Sequence, residues 1–116
     1  MKVIIAGSRN IVDYEVVKEA IEESQFTIKK VVSGGAKGVD ALGERYADEM
    51  NIPLVIFFAD WNTHGRSAGP IRNKKMAENA DALIAIWDGR SRGTKNMIET
   101  AQKMKLFVYV KRVDNE

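Results

Sequence analysis

Short apolar runs alternate with helical patterns along the whole chain. An apolar run closed by glycine, such as residues 3–7, is typical of a strand that is buried on both faces of a sheet. Apolar side chains at helical spacing instead predict a helix with one buried face. The pattern predicts strands over residues 3–6, 28–33, 54–58, 81–87 and 106–110, and helices over residues 13–24, 39–51, 70–79 and 94–105.

Strands that alternate with helices in this way predict a Rossmann-like α/β fold. Such βαβ units form a parallel sheet with right-handed crossovers. We therefore expect a single domain over residues 1–116, with five parallel strands in the order 3-2-1-4-5 and helices on both faces. Residues 59–69 are expected to form the longest irregular loop, and residues 111–116 a frayed polar tail.

The composition excludes several function classes. The 116 residues carry 18 basic and 16 acidic side chains, and this net charge of +2 is too small to indicate nucleic-acid or membrane binding through bulk charge. The chain has no cysteine and one histidine, His64, which excludes disulfides, a cysteine nucleophile and a multi-histidine metal site. No apolar run is long enough for a membrane span or a signal peptide. We expect a cytoplasmic protein without cofactor or metal.

The predicted topology places a ligand site at the carboxyl ends of the strands. In open parallel sheets the ligand lies where the strand order reverses, which here is between the first and fourth strands. Glycines, small hydroxyl side chains and arginines, which suit an anionic ligand, are concentrated in the loops at this edge. The predicted ligand-binding residues are Gly7, Ser8, Arg9, Ser33, Gly34, Gly35, Ala36, Gly38, Asp40, Arg72, Asn73, Asp88, Gly89, Ser91, Arg92, Gly93 and Thr94.

The loop of residues 33–38 joins the second strand to a helix. Its glycines would let backbone N–H groups approach a phosphate at the helix start, or would only permit a tight turn. Asp40 opposes a nearby phosphate, so it binds a sugar hydroxyl or caps the helix. Lys37 is followed by glycine, which rules out a Walker A motif. Ser33 replaces the first glycine of a dinucleotide fingerprint, although Asp60 has the spacing of its ribose-binding acid.

The loop of residues 89–94 opens the last predicted helix. It offers backbone amides, two hydroxyls and two guanidiniums to an anion. Thr94 could instead cap the helix, and the arginines could be solvated. Asp88 either accepts a hydrogen bond from a sugar or base or is a turn residue. Arg72 reaches a phosphate from the third position of its predicted helix or lies on the surface.

The long loop of residues 59–69 contains the two side chains whose roles are hardest to assign from the sequence. Trp61 stacks on a base, covers the site as a lid or pins the loop. His64 is expected to be solvated and is given no catalytic role.

These segments resemble the YspA/YpsA-related branch of the SLOG superfamily. The resemblance rests on the loops described above together with residues 59–61 and 68–70, and it extends from Val3 to about Val110. The superfamily also includes the LOG phosphoribohydrolases and the DNA-processing protein Smf/DprA. The resemblance implies that the two glycine loops line a nucleotide pocket and that the protein is a homodimer.

The LOG reaction is hydrolysis of the N-glycosidic bond of a nucleoside monophosphate. It uses an arginine and a glutamate, which stands three residues after the threonine of a P-G-G-x-G-T motif. Here that threonine is Thr94, and Met97 occupies the glutamate position. Glu99 stands five residues after Thr94 and is expected to point away from the pocket, and no P-G-G is present. We therefore predict no catalytic residue; a hydrolase would have to use Asp40 or Asp88.

Three hypotheses follow for the function. The leading one is a sensor or processing module that binds a nucleotide or a nucleotide-derived small molecule. The alternative is a nucleotide hydrolase of the N-glycosidase type, which needs a carboxylate with a raised pKa in the pocket. The second alternative is a single-stranded DNA-binding protein, which needs a continuous basic face with stacking aromatics. The near-neutral charge disfavours nucleic acid as the partner.

Overall fold

The computed structural model describes residues 1–114 and contains one five-stranded sheet. No helix in this part of the chain has both the length and the apolar composition needed to cross a bilayer. The strands are β1 (Lys2–Gly7), β2 (Lys30–Ser33), β3 (Leu54–Ile56), β4 (Ala82–Trp87) and β5 (Phe107–Arg112), and the helices are α1 (Tyr14–Ser24), α2 (Val39–Glu49), α3 (Trp61–His64), α4 (Ala68–Glu78) and α5 (Arg92–Lys103).

The strand order is β3-β2-β1-β4-β5, and every neighbouring pair is parallel. This confirms the predicted Rossmann-like topology. The two central strands are joined in a register that pairs Ile5 with Ile84 and Gly7 with Ile86. The carboxyl ends of β1 and β4 therefore lie side by side, which is the reversal point at which such sheets bind ligands.

Alternate residues of the central strands enter two separate cores, as the continuous apolar runs predict for a sheet covered on both faces. Val3 and Ile5 of β1 pack in a core that includes buried residues of α1 and α2. Ile4 and Ala6 face the opposite core, which includes residues of α4 and α5. The α4–α5 side of the sheet is the side on which the cleft described below is built.

The expectation of an irregular loop over residues 59–69 was wrong. This segment contains α3 and a 3-10 turn over Gly65–Ser67, and α4 begins at Ala68 rather than at residue 70. The Asp60 carboxylate caps α3 by accepting a hydrogen bond from the N–H of Thr63 at 3.1 Å. As a consequence, Arg72 is the fifth residue of α4 and not the third.

The expectation of a frayed tail from residue 111 was also wrong in part. Lys111 and Arg112 continue β5 and pair with Ile86 and Trp87 of β4. The Lys111 ammonium lies 2.9 Å from a carboxylate oxygen of Glu23 on α1, which fastens the edge strand to the neighbouring helix. Residues 115–116 of the predicted tail lie outside the described residues.

Candidate ligand-binding cleft

A cleft of about 530 Å³ opens beside the carboxyl ends of β1 and β4. Its volume falls within the range of about 300–1,000 Å³ that is usual for small-molecule sites. The apolar part of its lining includes three buried side chains, Ala6, Met76 and Met97. Four arginines also line it: Arg9, Arg66, Arg72 and Arg92.

Most of the predicted site residues come together in this cleft. Those that line it are Gly7, Ser8, Arg9, Ala36, Asp40, Arg72, Asn73, Asp88, Ser91, Arg92, Gly93 and Thr94. The other predicted residues, which do not line it, are Ser33, Gly34, Gly35, Gly38 and Gly89. The 33–38 loop thus contributes mainly the frame of the site, whereas the 88–94 segment contributes much of its surface.

Two of the glycines that do not line the cleft, Gly34 and Gly38, allow the loops around it to pack closely against each other. Gly38 has a φ of +73°, and a Cβ there would stand 2.5 Å from the carbonyl oxygens of Ser8 and Arg9. A Cβ on Gly34 would stand 2.8 Å from both Arg72 and the Asp40 carboxylate. Only glycine therefore lets the β2–α2 loop approach the β1 loop and Arg72 so closely.

The β1 and β4 loops are tied together by Ser8. Its N–H donates to the Ile86 carbonyl at 3.1 Å, and its buried hydroxyl accepts from the N–H of Asp88 at 3.1 Å. The Asp88 carboxylate accepts from the N–H groups of Arg90 and Ser91, both at 2.8 Å. These two hydrogen bonds hold the pKa of Asp88 below its ordinary value. Asp88 therefore acts as a turn residue at the rim of the cleft.

Ser91, and not Thr94, is the N-cap of α5. The Ser91 hydroxyl accepts a hydrogen bond from the N–H of Thr94 at 3.3 Å, and its carbonyl accepts from the N–H of Lys95 at 3.1 Å. The first N–H groups of a helix have no acceptor within the helix. The N–H groups of Arg92 and Gly93 thus remain at the positive end of the α5 dipole, beside the cleft.

Arg72 and Asn73 connect the elements around the cleft. Arg72 donates to the Gly34 carbonyl at 2.6 Å and to the Asn73 side-chain oxygen at 3.0 Å. The Asn73 amide nitrogen donates to the Gly93 carbonyl and to the Asn96 side chain at 3.3 and 2.9 Å. Asn73 is only 4% exposed, and its side-chain oxygen and nitrogen both form hydrogen bonds within the protein.

Asp40 is a buried carboxyl in the wall of the cleft, with 5% of its surface exposed. Burial raises its pKa above the ordinary value, because removal from water penalises the charged form. A hydrogen bond of 3.2 Å from the N–H of Ala36 and the positive charge of Arg72 offset part of this effect. Asp40 and Asp88 thus have pKa values displaced in opposite directions.

The raised pKa of Asp40 makes a testable contribution to stability. A group whose pKa is raised on folding stabilises the protein fully below its unfolded pKa and loses that contribution as the pH rises through its folded pKa. The free energy of unfolding of the wild type, measured relative to Asp40→Asn, should therefore increase as the pH falls from 7 to 4. Urea denaturation of both proteins across this range measures the difference.

Asp88→Asn is the matched control for this experiment. Because the pKa of Asp88 is lowered on folding, the wild type should lose stability relative to Asp88→Asn as the pH falls. If the difference in free energy of unfolding between the wild type and Asp40→Asn stays constant or decreases as the pH falls, burial does not govern the ionisation of Asp40.

Several lining residues were not predicted from the sequence. Arg66 belongs to the segment that was expected to be irregular, and only the folding of α3 and the 3-10 turn brings it to the cleft. Asn96 and Met97 stand three and four residues after Gly93, so helical spacing within α5 could have identified them. Within residues 1–114, no group of three or more histidine, aspartate or glutamate side chains is arranged to hold a metal ion.

A parallel sheet with this strand order and a cleft at its reversal point defines a Rossmann-like α/β protein. The model of the YspA, cpYpsA-related SLOG family matches residues 1–64. The gene 61 protein of Mycobacterium phage D29 is 36% identical over 112 residues, which cover 88% of this chain and 89% of the phage protein. The chain therefore belongs to the YspA, cpYpsA-related SLOG family, as the sequence motifs indicated.

A solved structure supports the same fold. The X-ray structure of DNA processing protein A (DprA) from Streptococcus pneumoniae superposes with a TM-score of 0.76 over 94% of this chain, at 18% sequence identity. The match covers 49% of the DprA chain, so the present chain spans about half the length of that protein. At this identity the similarity establishes the fold alone.

Proposed function

We propose that the cleft binds a nucleotide or a nucleotide-derived small molecule, and that the protein is a sensor or processing module for it. The observation that carries the proposal is that four arginines and the start of α5 line one cleft whose lining is partly apolar. Membership of the SLOG family supports a nucleotide-related function. The name of DprA describes a DNA-processing protein, which is consistent with a ligand of nucleotide chemistry.

The charges of the cleft favour an anion. None of the four cleft arginines forms a salt bridge with any of the residues 1–114. Burial lowers the pKa of Arg72; the negative charge of Asp40 offsets part of this effect, and the neighbouring positive charge of Arg9 adds to it. A bound phosphate would offset this mutual repulsion and would accept hydrogen bonds from guanidinium and α5 N–H groups. With Asp40 and Asp88 also in the lining, the cleft has four arginines and two aspartates, so an excess of two positive charges is concentrated there.

A loss of affinity in Arg92→Gln tests the phosphate contact. Titration with the four common ribonucleoside 5′-monophosphates, followed by thermal shift and calorimetry, should show binding by the wild type. Removing one charged hydrogen-bond donor costs about 1.5–3 kcal/mol, which is a fall in affinity of about 10- to 100-fold. Lys95→Gln is the matched control, because it removes one exposed positive charge from the first turns of α5 without altering the cleft lining.

The outcomes of this titration separate the hypotheses. If no mononucleotide stabilises the wild type, the proposal fails. If Arg92→Gln and Lys95→Gln weaken binding equally, the attraction is a general charge effect and not a phosphate contact. Salt-dependent binding of a single-stranded oligonucleotide without any mononucleotide binding would instead favour the DNA-binding alternative.

Asp40 gives specific support to a second candidate, a nucleotide hydrolase of the N-glycosidase type. A cleft carboxyl with a raised pKa beside an arginine is the kind of group that can serve as a general acid or base. Met97 occupies the position of the LOG glutamate, so such a reaction would need Asp40 in its place. Mass analysis of the same titration mixtures would reveal free base and ribose 5-phosphate, and Asp40→Asn should abolish their release. Binding without any product supports the sensor.

A further inference from the structure

Trp61 is a half-exposed indole at the edge of the cleft. It is the first residue of α3, it lines the cleft, and 51% of its surface remains exposed. Its ring lies beside the bare backbone of Gly69 in the first turn of α4, where an added Cβ would stand 3.5 Å from the indole. The indole is therefore packed on one side by α4 and still offers apolar surface to the cleft.

The position of Trp61 in the fold separates it from the start of α5. Trp61 follows β3, whereas the α5 loop follows β4, and β2 and β1 lie between those two strands. Three strand spacings of about 4.8 Å place the carboxyl ends of β3 and β4 roughly 14 Å apart. The lining of the cleft thus combines an aromatic ring that follows β3 with the start of α5 and Arg92, which follow β4.

The chemistry of these two parts of the lining is complementary to the two ends of a nucleotide. The α5 side suits a phosphate, as argued above, whereas an indole face suits a planar base. The apolar side chains Ala6, Met76 and Met97 also line the cleft. A ligand that consisted of phosphate and sugar alone would leave the exposed indole without a partner.

We propose that Trp61 is the base-stacking residue of this cleft, and that it makes the site selective for phosphorylated ligands that carry an aromatic base over sugar phosphates. This inference rests on the proposed nucleotide function and adds the element of the ligand that the α3 segment recognises. Trp61 thus determines specificity, and its contact with Gly69 orients the indole ring.

The test compares two ligands and three variants by calorimetry. The ligands are the tightest-binding ribonucleoside 5′-monophosphate and ribose 5-phosphate. Trp61→Leu should weaken nucleotide binding about 5- to 150-fold, since base–aromatic stacking contributes about 1–3 kcal/mol per base, and should leave ribose 5-phosphate binding unchanged. Trp61→Phe should retain most of the nucleotide affinity. Phe58→Leu is the control, because Phe58 is a nearby aromatic, 74% exposed, that does not line the cleft.

Fluorescence supplies a readout that a merely structural role would not change. The nucleotide, but not ribose 5-phosphate, should quench the indole emission of the wild type, and the quenching should disappear in Trp61→Phe, which retains Trp87. Equal losses for both ligands in Trp61→Leu, or equal wild-type affinity for both ligands, would overturn the stacking role. If Arg92→Gln loses nucleotide affinity while Trp61→Leu does not, only this inference fails. If the wild type binds neither ligand, the proposed function fails and the inference fails with it.

Discussion

Gly7→Ala should lower the free energy of unfolding by about 3 kcal/mol or more, the upper part of the range for inserting atoms into a packed core. An added Cβ at this position would stand 2.2 Å from the Ile86 carbonyl oxygen and 2.7 Å from a Val39 side-chain carbon. The carbonyl is part of the β1–β4 junction and also accepts the N–H of Ser8 at 3.1 Å, so it cannot move without disturbing both strands. Urea denaturation measures the loss.

Gly93→Ala is the matched control for this substitution. Apart from its chain neighbours and the backbone of its own helix, no heavy atom of residues 1–114 lies within 4 Å of the position that a Cβ on Gly93 would occupy, and the residue is in the first turn of α5. Alanine in a helix is favoured over glycine, so this variant should gain up to about 1 kcal/mol. If Gly7→Ala unfolds within about 0.5 kcal/mol of the wild type, as surface substitutions do, the close packing at the β1–β4 junction is not rigid.

Arg72→Ala should have the largest effect on ligand binding. The substitution removes the hydrogen bonds to Gly34 and Asn73, the first of which joins the loop between β2 and α2 to α4. Loss of a charged donor and exposure of an unsatisfied partner should cost about 2–3 kcal/mol of stability. Nucleotide affinity should fall by about 100-fold or more, because a cleft cation and the framework of the cleft are lost together. Urea denaturation and calorimetry measure the two losses.

Arg72→Lys and Lys74→Ala separate charge, geometry and folding. Lysine keeps the positive charge but cannot reproduce the planar fork that reaches both Gly34 and Asn73. The nucleotide affinity of Arg72→Lys should therefore lie between those of the wild type and Arg72→Ala. Lys74→Ala removes an exposed charge two positions further along α4 and should behave as the wild type. Because the charge of Arg72 lowers the pKa of Asp40, that pKa should rise in Arg72→Ala and not in Arg72→Lys. Carboxyl NMR titration detects the change, and unaltered affinity in Arg72→Ala would remove Arg72 from the site.

The sequence by itself was sufficient to predict the fold. Continuous apolar runs predict strands covered on both faces, and their alternation with amphipathic helices restricts the topology to a parallel sheet. The order 3-2-1-4-5 was expected from the Rossmann-like arrangement of such units, and the location of the cleft beside β1 and β4 from the reversal point of that order. The segments it predicted wrongly were residues 59–69, a polar stretch that forms short helical turns, and residues 111–112, which are in a strand because they pair with β4.

Only the tertiary structure determined which site residues support the cleft through hydrogen bonds within the protein and which remain available to a ligand. Helical and strand periods are local properties, whereas the burial of Asp40 and the contacts of Arg72 and Asn73 depend on residues as many as 38 positions apart. Folding turned Ser8 and Asp88 into the connection between two loops, and it made Ser91 rather than Thr94 the cap of α5. It also brought Trp61 and Arg66 to the cleft. Which polar groups remain available to a ligand is set by these long-range contacts, because each hydrogen bond within the protein uses a donor or acceptor that the sequence alone leaves unassigned.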